Sequence, residues 1–174
     1  MNKTARHYEE NAFMPIAPAT LFAYVDDHSR LSSHMNRPSW MMGGGRMDVQ
    51  VDEGKGQVVG SHIRLNGKIL GINLFLDEVI VQHDPPHWKA WQTVGDLRLL
   101  VIGHYRMGFE IIAENEGSRL KVFIDYELPA TLSMRWLGYL FGGMYTKWCV
   151  RQMLQSARQR FDSQDRNNIQ QRSN

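Results

Sequence analysis

The sequence lacks the features that mark secreted and membrane-spanning proteins. It has one cysteine in 174 residues, so no internal disulfide can form. Its longest nearly uninterrupted apolar stretches, Ile69–Leu76 and Trp136–Tyr145, fall short of the ~20 residues that cross a bilayer. Residues 1–10 carry charges and no apolar segment follows them, so we expect no secretory signal. We therefore predict a cytoplasmic protein without stable membrane insertion.

An excess of charge of one sign is also lacking. The chain has 20 basic and 18 acidic side chains, for a net charge of +2. The basic pI arises in residues 151–174, where five Arg stand against Asp162 and Asp165. No run of Lys and Arg is interleaved with aromatic residues, and so small a net charge attracts phosphate weakly. We expect no nucleic-acid partner.

No motif predicts a metal, a cofactor or a catalytic triad. Gly54, Gly56 and Gly60 imitate a phosphate-binding loop, but their spacing is wrong and they lie between predicted strands rather than before a helix. His83 and His87 have a separation compatible with metal binding, yet two intervening prolines aim the rings poorly and no Cys or HExxH partner accompanies them. We predict no metal ion, no cofactor and no assignable catalytic residue.

One strand and two short helices are predicted near the start of the chain. The strand, His7–Ile16, should stop at the prolines around its end, since proline removes a ladder donor. Pro18 favours the first turn of a helix that ends at Asp26. A second helix is expected from Ser29, a candidate N-cap, to Met35.

Between residues 46 and 128 the apolar residues recur with a period of two, which predicts antiparallel strands. Asn66-Gly67 is the strongest hairpin signal, because a type I′ turn requires positive φ at both central positions. From Leu99 to Ile111 alternate residues share one face, which we predict to be core. The predicted strands are 47–52, 59–66, 69–83, 87–94, 99–111 and 120–128; the register of 69–83 and 87–94 stays open.

A helical pattern follows Pro129 and continues to about residue 161. Three glycines inside it predict a kink or break near residue 142. Residues 162–174 are polar and contain one strongly apolar side chain, so they are expected to form a disordered tail. We therefore predict one domain over residues 1–161.

The order of the elements predicts an α+β protein, in which a curved antiparallel sheet of about seven strands wraps around the long C-terminal helix. Residues Ile16–His28 resemble the strand-to-helix opening of the START-like superfamily, also called SRPBCC, whose architecture is the helix-grip fold. The Val79–Pro86 segment resembles the strand of that superfamily that ends in Asp-Pro-Pro. Val101–Phe109 and the Leu120–Pro129 strand resemble its bacterial polyketide-cyclase and lipid-transport branch. The resemblance covers residues 6–161. It implies a hydrophobic cavity for lipids, polyketides, quinones or other apolar molecules; only some members are enzymes, and they share no catalytic motif.

Aromatic and methionine side chains supply the candidate binding site. Each of these side chains alone is best explained as part of the hydrophobic core. As a set they provide the adaptable apolar walls and the hydroxyl or N–H groups that ligand cavities require. Residues 40–45 are expected to form a mobile gating loop whose inner side is apolar. The candidate ligand-binding residues are Tyr105, Met107, Phe109, Tyr126, Trp91, Trp88, Met144, Tyr145, Trp148, Trp40, Met41 and Met42.

Three functions remain open. The first is a carrier or sensor that binds a small hydrophobic or amphipathic molecule. The second is a polyketide aromatase/cyclase-like enzyme, in which Tyr126 or Tyr105 orients an enol or acts as general acid; against it, the pattern shows no inward His, Asp or Glu. The third is a partner-binding module that uses the apolar residues of 134–145 (Trp136, Leu137, Tyr139, Leu140 and Phe141) to meet a protein, a membrane or a second copy in a homodimer.

Overall fold

A seven-stranded antiparallel sheet and a long C-terminal helix make up the protein. The computed structural model describes residues 5–27, 30, 46–69 and 71–172, with backbone alone for 46, 47, 69, 133 and 162–172. The strand order is β1-β7-β6-β5-β4-β3-β2, so only β1 is displaced from chain order. The predicted α+β helix-grip architecture is confirmed. The predicted second helix and the gating loop fall almost entirely outside the described residues.

The chain opens with β1 (Arg6–Met14) and α1 (Pro18–Val25), as the prolines predict. Alternate residues of β1 face the interior, and Ala12 and Met14 are fully buried. Pro18 stands in the first turn of α1, where its missing N–H costs nothing. The helix buries Leu21, Phe22 and Val25 against the sheet.

Four strands follow: β2 (Arg46–Val51), β3 (His62–Ile69), β4 (Ile72–Asp84) and β5 (Trp88–Arg98). The predicted Asn66-Gly67 turn is wrong. Both residues lie inside β3, opposite Phe75 and Leu74 of β4. The chain reverses instead between Ile69 and Ile72, where Gly71 has a φ of 81°.

The sheet is completed by β6 (Tyr105–Glu114) and β7 (Gly117–Tyr126). The predicted strand over 99–111 is too long, because residues 99–104 are irregular and ordered pairing starts at Tyr105. From that residue onward the predicted core face is confirmed, since Met107, Phe109 and Ile111 are buried.

The C-terminal helix α2 (Leu132–Arg172) has 41 residues. It continues past residue 161, where the sequence predicts a tail, and it is assigned as helix without interruption through the glycines near residue 142. Gly138 and Gly142 allow a close approach instead of a break. A Cβ on either would come within 3.0 Å of the Val101 carbonyl oxygen. No helix within the described residues is long and apolar enough to span a membrane.

Candidate functional site

A cavity of about 330 Å³ lies at one end of the sheet, where α2 begins. Its walls come from the end of β5 and the chain after it, from the residues before β6, and from the connection between β7 and α2. Leucines 97, 99, 100 and 128 give it an apolar lining, and Asp96, Arg98, His104 and Glu127 contribute charged or polar groups. The lining residues are Ile72, 95–100, 102–104, 127–131 and Met134.

Next to this cavity, four polar side chains form a row across the inner face of the sheet. Glu78 of β4 pairs with Thr93 of β5, and Tyr105 of β6 pairs with Tyr126 of β7. The Thr93 hydroxyl joins the two pairs, because it accepts a hydrogen bond of 3.1 Å from the Tyr105 backbone N–H. We call Glu78, Thr93, Tyr105 and Tyr126 the polar row.

The row and the cavity are continuous along the chain. Tyr105 directly follows the cavity-lining His104, and Tyr126 directly precedes the lining Glu127. Thr93 is two residues before the lining Gly95. The four side chains of the polar row are not among the residues that line the cavity, so the row adjoins the cavity only through neighbouring residues of the chain.

A carboxylate and a phenol are hydrogen-bonded to each other inside the protein. Glu78 is 3% exposed, and the Tyr105 hydroxyl donates a hydrogen bond to its Oε1. Burial raises the pKa of Tyr105 well above its ordinary value, and the neighbouring Glu78 charge raises it further. Tyr105 consequently remains a protonated hydrogen-bond donor at neutral pH.

Glu78 corrects the prediction that no inward acid exists. The alternation of apolar residues in β4 could have predicted this acid. Leu74, Leu76 and Ile80 are buried on one face of the strand, and Glu78 falls on the same face. A carboxylate between buried alternating residues must point inward unless a bulge intervenes.

Helix α2 covers this region with two further groups. The pKa of Tyr145 is raised well above its ordinary value by burial, and the neighbouring Cys149 raises it further. Burial raises the pKa of Cys149 to about 12. The thiol is therefore no nucleophile at neutral pH, in agreement with its prediction as a small buried hydrophobe.

A second buried polar cluster anchors α1. Lys89 is fully buried, and its Nζ donates to the Asp26 carbonyl at 2.6 Å and to Asp26 Oδ1 at 2.7 Å. The His83 Nε2 atom lies 3.0 Å from the same Oδ1. Burial lowers the pKa of Lys89, while the hydrogen bond and the charge of Asp26 act in the opposite direction. Since Asp26 ends α1, this ion pair fixes the helix to β5.

The predicted site residues fall into four groups. Met107, Phe109, Tyr126 and Trp91 belong to the core cluster, and Tyr105, Tyr145 and Trp148 pack against it half-buried. Trp40, Met41 and Met42 lie outside the described residues.

Trp88 and Met144 lie away from the core cluster. Trp88 stacks on Phe123 at 5.3 Å between ring centroids, outside the core cluster, because alternation in β5 turns Lys89 and Trp91 inward. Met144 is 45% exposed. The cavity is lined by Leu97 at the end of β5 and by Leu99 and Leu100 of the irregular segment 99–104, although the sequence pattern predicts a strand from residue 99.

Metal binding gains no support from the described part of the chain, which contains no group of three or more potential His, Cys, Asp or Glu ligands. His83 and His87 separate: His83 faces Asp26, and the His87 Nδ1 lies 3.3 Å from the Ile111 carbonyl oxygen.

Comparison with solved structures shows clear similarity of fold at low sequence identity. The chain is similar to the Zhui aromatase/cyclase from Streptomyces sp. R1128, with a TM-score of 0.62, 13% identity, and coverage of 90% of this chain and 95% of that one. Norcoclaurine synthase from Thalictrum flavum gives 0.61 and 13%, with coverage of 89% and 85%. Ara h 8.0201 gives 0.59 and 14%, with coverage of 88% and 97%. No protein-family model and no curated protein sequence matches the chain.

The chain has the helix-grip fold, the architecture that the resemblance to the START-like, or SRPBCC, superfamily implies. Sequence identities of 13–14% establish this fold alone. The activity has to be argued from the cavity and the polar row.

Proposed function

We propose that this protein binds a compact apolar molecule that carries one or two polar atoms, as a carrier or sensor. The observation behind the proposal is the leucine-lined cavity, whose lining also contains the polar residues His104 and Glu127. A guest in the cavity would meet these polar groups, and an unsatisfied buried polar atom is costly whereas a bonded one gives specificity.

The volume limits the guest. If each non-hydrogen atom of the guest occupies ~30 Å³, the volume of one water molecule in the liquid, a cavity of 330 Å³ holds roughly eleven such atoms. That size suits a two-ring aromatic molecule better than a long acyl chain. A ligand efficiency of about 0.5 kcal/mol per atom gives a dissociation constant of roughly 100 μM for such a guest.

A matched pair of probes tests the proposal. 2-Naphthol and naphthalene differ by one hydroxyl, and both can be titrated calorimetrically. We expect 2-naphthol to bind about tenfold more tightly, because its hydroxyl can bond to a polar group of the cavity lining. Leu99→Trp, which fills the cavity, should abolish binding of both probes, whereas Ile112→Trp on the opposite face of β6 should not. Equal binding to the protein and to its Leu99→Trp variant would refute the proposal.

The buried acid–phenol pair favours a second candidate, a cyclase-like enzyme. Two of the structural neighbours are an aromatase/cyclase and a synthase. In such a reaction the Glu78 carboxylate would accept a proton from a carbon beside a carbonyl, and the Tyr105 hydroxyl would donate a hydrogen bond to the enolate oxygen. Both groups lie inside and are already in contact.

Deuterium exchange distinguishes the enzyme from the carrier. 2-Tetralone has the size of the cavity and acidic protons beside its carbonyl. A cyclase-like site should accelerate exchange of these protons, as observed by NMR, and Glu78→Gln should remove the acceleration. Binding of 2-tetralone without accelerated exchange would leave the carrier function alone.

A further inference from the structure

The outer side of α2 displays an unusual amount of apolar surface. Six large side chains in its first thirteen residues are 42–80% exposed: Leu132, Trp136, Tyr139, Leu140, Phe141 and Met144. At ~200 Å² for a large side chain, they leave roughly 700 Å² in contact with solvent, above the ~300–600 Å² of the largest patch on a typical monomer. We call these six residues the α2 patch.

The patch follows the helical repeat. Leu132, Trp136, Leu140 and Met144 are spaced four residues apart, so they form one row along α2. Their exposure is a consequence of the glycines, because Gly138 and Gly142 face the irregular segment at Val101 and turn the large residues outward. The first part of α2 thus contacts the rest of the protein through glycines and exposes its large apolar side chains to solvent.

Basic residues are the only charged residues on the part of α2 that carries and follows this patch, up to residue 161. Residues 128–161 contain no Asp or Glu and carry five basic side chains, Arg135, Lys147, Arg151, Arg158 and Arg160. Lys147 and Arg151 continue the patch side of the helix by one and two turns, and both are exposed. Arg151 is paired with Glu10 at 3.0 Å, and its side chain remains 57% exposed.

We propose that the α2 patch docks on a membrane surface that contains anionic phospholipids. Trp136 and Tyr139 have the amphipathic rings that favour the headgroup region, the leucines can enter the acyl boundary, and the cations can pair with lipid phosphate. A second copy of the chain would place two basic helices against each other, so charge complementarity favours an anionic partner over a homodimer. The helix would lie in the interface without spanning the bilayer.

The docking surface adjoins the cavity. Thr131 and Met134 line the cavity, and Leu132 between them begins the patch. Docking would hold this end of the protein at the lipid surface. The proposal does not depend on the guest, since vesicle binding is measured without one and the probe titrations of the cavity are made without lipid.

Vesicle flotation tests the proposal on the full chain. Vesicles of phosphatidylcholine with one quarter phosphatidylglycerol should bind the protein at least tenfold more tightly than phosphatidylcholine alone, and 0.5 M salt should remove most of this difference. Trp136→Ala with Leu140→Ala should weaken binding to the anionic vesicles at least tenfold. Lys147→Glu should reduce the preference for anionic vesicles severalfold while the patch stays intact.

Phe75→Ala provides the matched control, because Phe75 is an exposed aromatic side chain on β4, 41% accessible. It should leave vesicle binding unchanged, and circular dichroism should be the same for all variants. Absence of binding to anionic vesicles at low salt would overturn the proposal. So would an equal loss in Phe75→Ala, or a dimer seen by sedimentation that disappears in the Trp136→Ala and Leu140→Ala variant.

Discussion

Replacement of Tyr105 by Phe isolates the hydrogen bond to the buried Glu78 carboxylate. The substitution removes one oxygen atom and keeps the ring packed against the core, so its cost is mainly that of the hydrogen bond. Hydrogen bonds to charged groups are worth ~1.5–3 kcal/mol, and Glu78 is only 3% exposed, so water replaces the lost donor poorly. We expect the free energy of unfolding to fall by about 2 kcal/mol, or ~4–8 °C in Tm for a protein of this size.

Urea denaturation of a double-mutant cycle measures this value. Tyr105→Phe, Glu78→Gln and the double variant should show a coupling free energy of ~1–3 kcal/mol. Tyr126→Phe is the matched control, since Tyr126 is buried in the same row and its hydroxyl bonds to no carboxylate among the described residues. A coupling near zero, or equal losses for the two tyrosines, would show that the pair does not form in solution.

Three other substitutions or reactions test the packing. Lys89→Met should lower the free energy of unfolding in urea by ~3 kcal/mol, because it leaves the buried Asp26 carboxylate without its cation. Lys121→Met, which breaks a half-exposed pair with Glu110, should lower it by under ~1 kcal/mol, and similar losses for the two variants would contradict the burial argument. Gly138→Ala should destabilise the protein by ~1–3 kcal/mol, since the new Cβ would lie 2.6 Å from Pro129. Gly143→Ala, whose Cβ would have its nearest atom at 3.7 Å, should stabilise it by up to ~1 kcal/mol, and the opposite order in thermal melts would refute the close approach. At pH 8, Cys149 should react with a disulfide reagent far more slowly in the folded protein than in urea, because its pKa is about 12 and it is buried; rapid labelling of the folded protein would refute this.

The sequence predicts the elements of the fold well where local chemistry decides. Pro18 sets the start of α1, and alternation from Tyr105 to Ile111 marks an inner face. The reversal before β4 is different, because both Asn66-Gly67 and Gly71 can form a tight turn. The observed register places Leu65 opposite Leu76, and both are at most 3% exposed. Pairing across strands, which no local motif encodes, therefore decides between them.

The candidate site depends on the same long-range information. Glu78 becomes a partner of Tyr105 only because β5 lies between their strands and its register places Thr93 level with both. The sequence provided the inward tyrosine and a carboxylate 27 positions earlier. Their contact is a property of the sheet, which explains why the acid was overlooked.

The energetics of the α2 patch separate the source of affinity from the source of selectivity. Burial of half of its roughly 700 Å² would contribute ~9 kcal/mol at 25 cal/mol per Å², before the cost of association. Each cation near an anionic surface adds only ~1 kcal/mol. The apolar row must therefore supply most of the binding free energy, and the basic residues must choose the lipid. It follows that high salt should equalise anionic and neutral vesicles without abolishing binding, whereas loss of Trp136 and Leu140 should weaken binding to both.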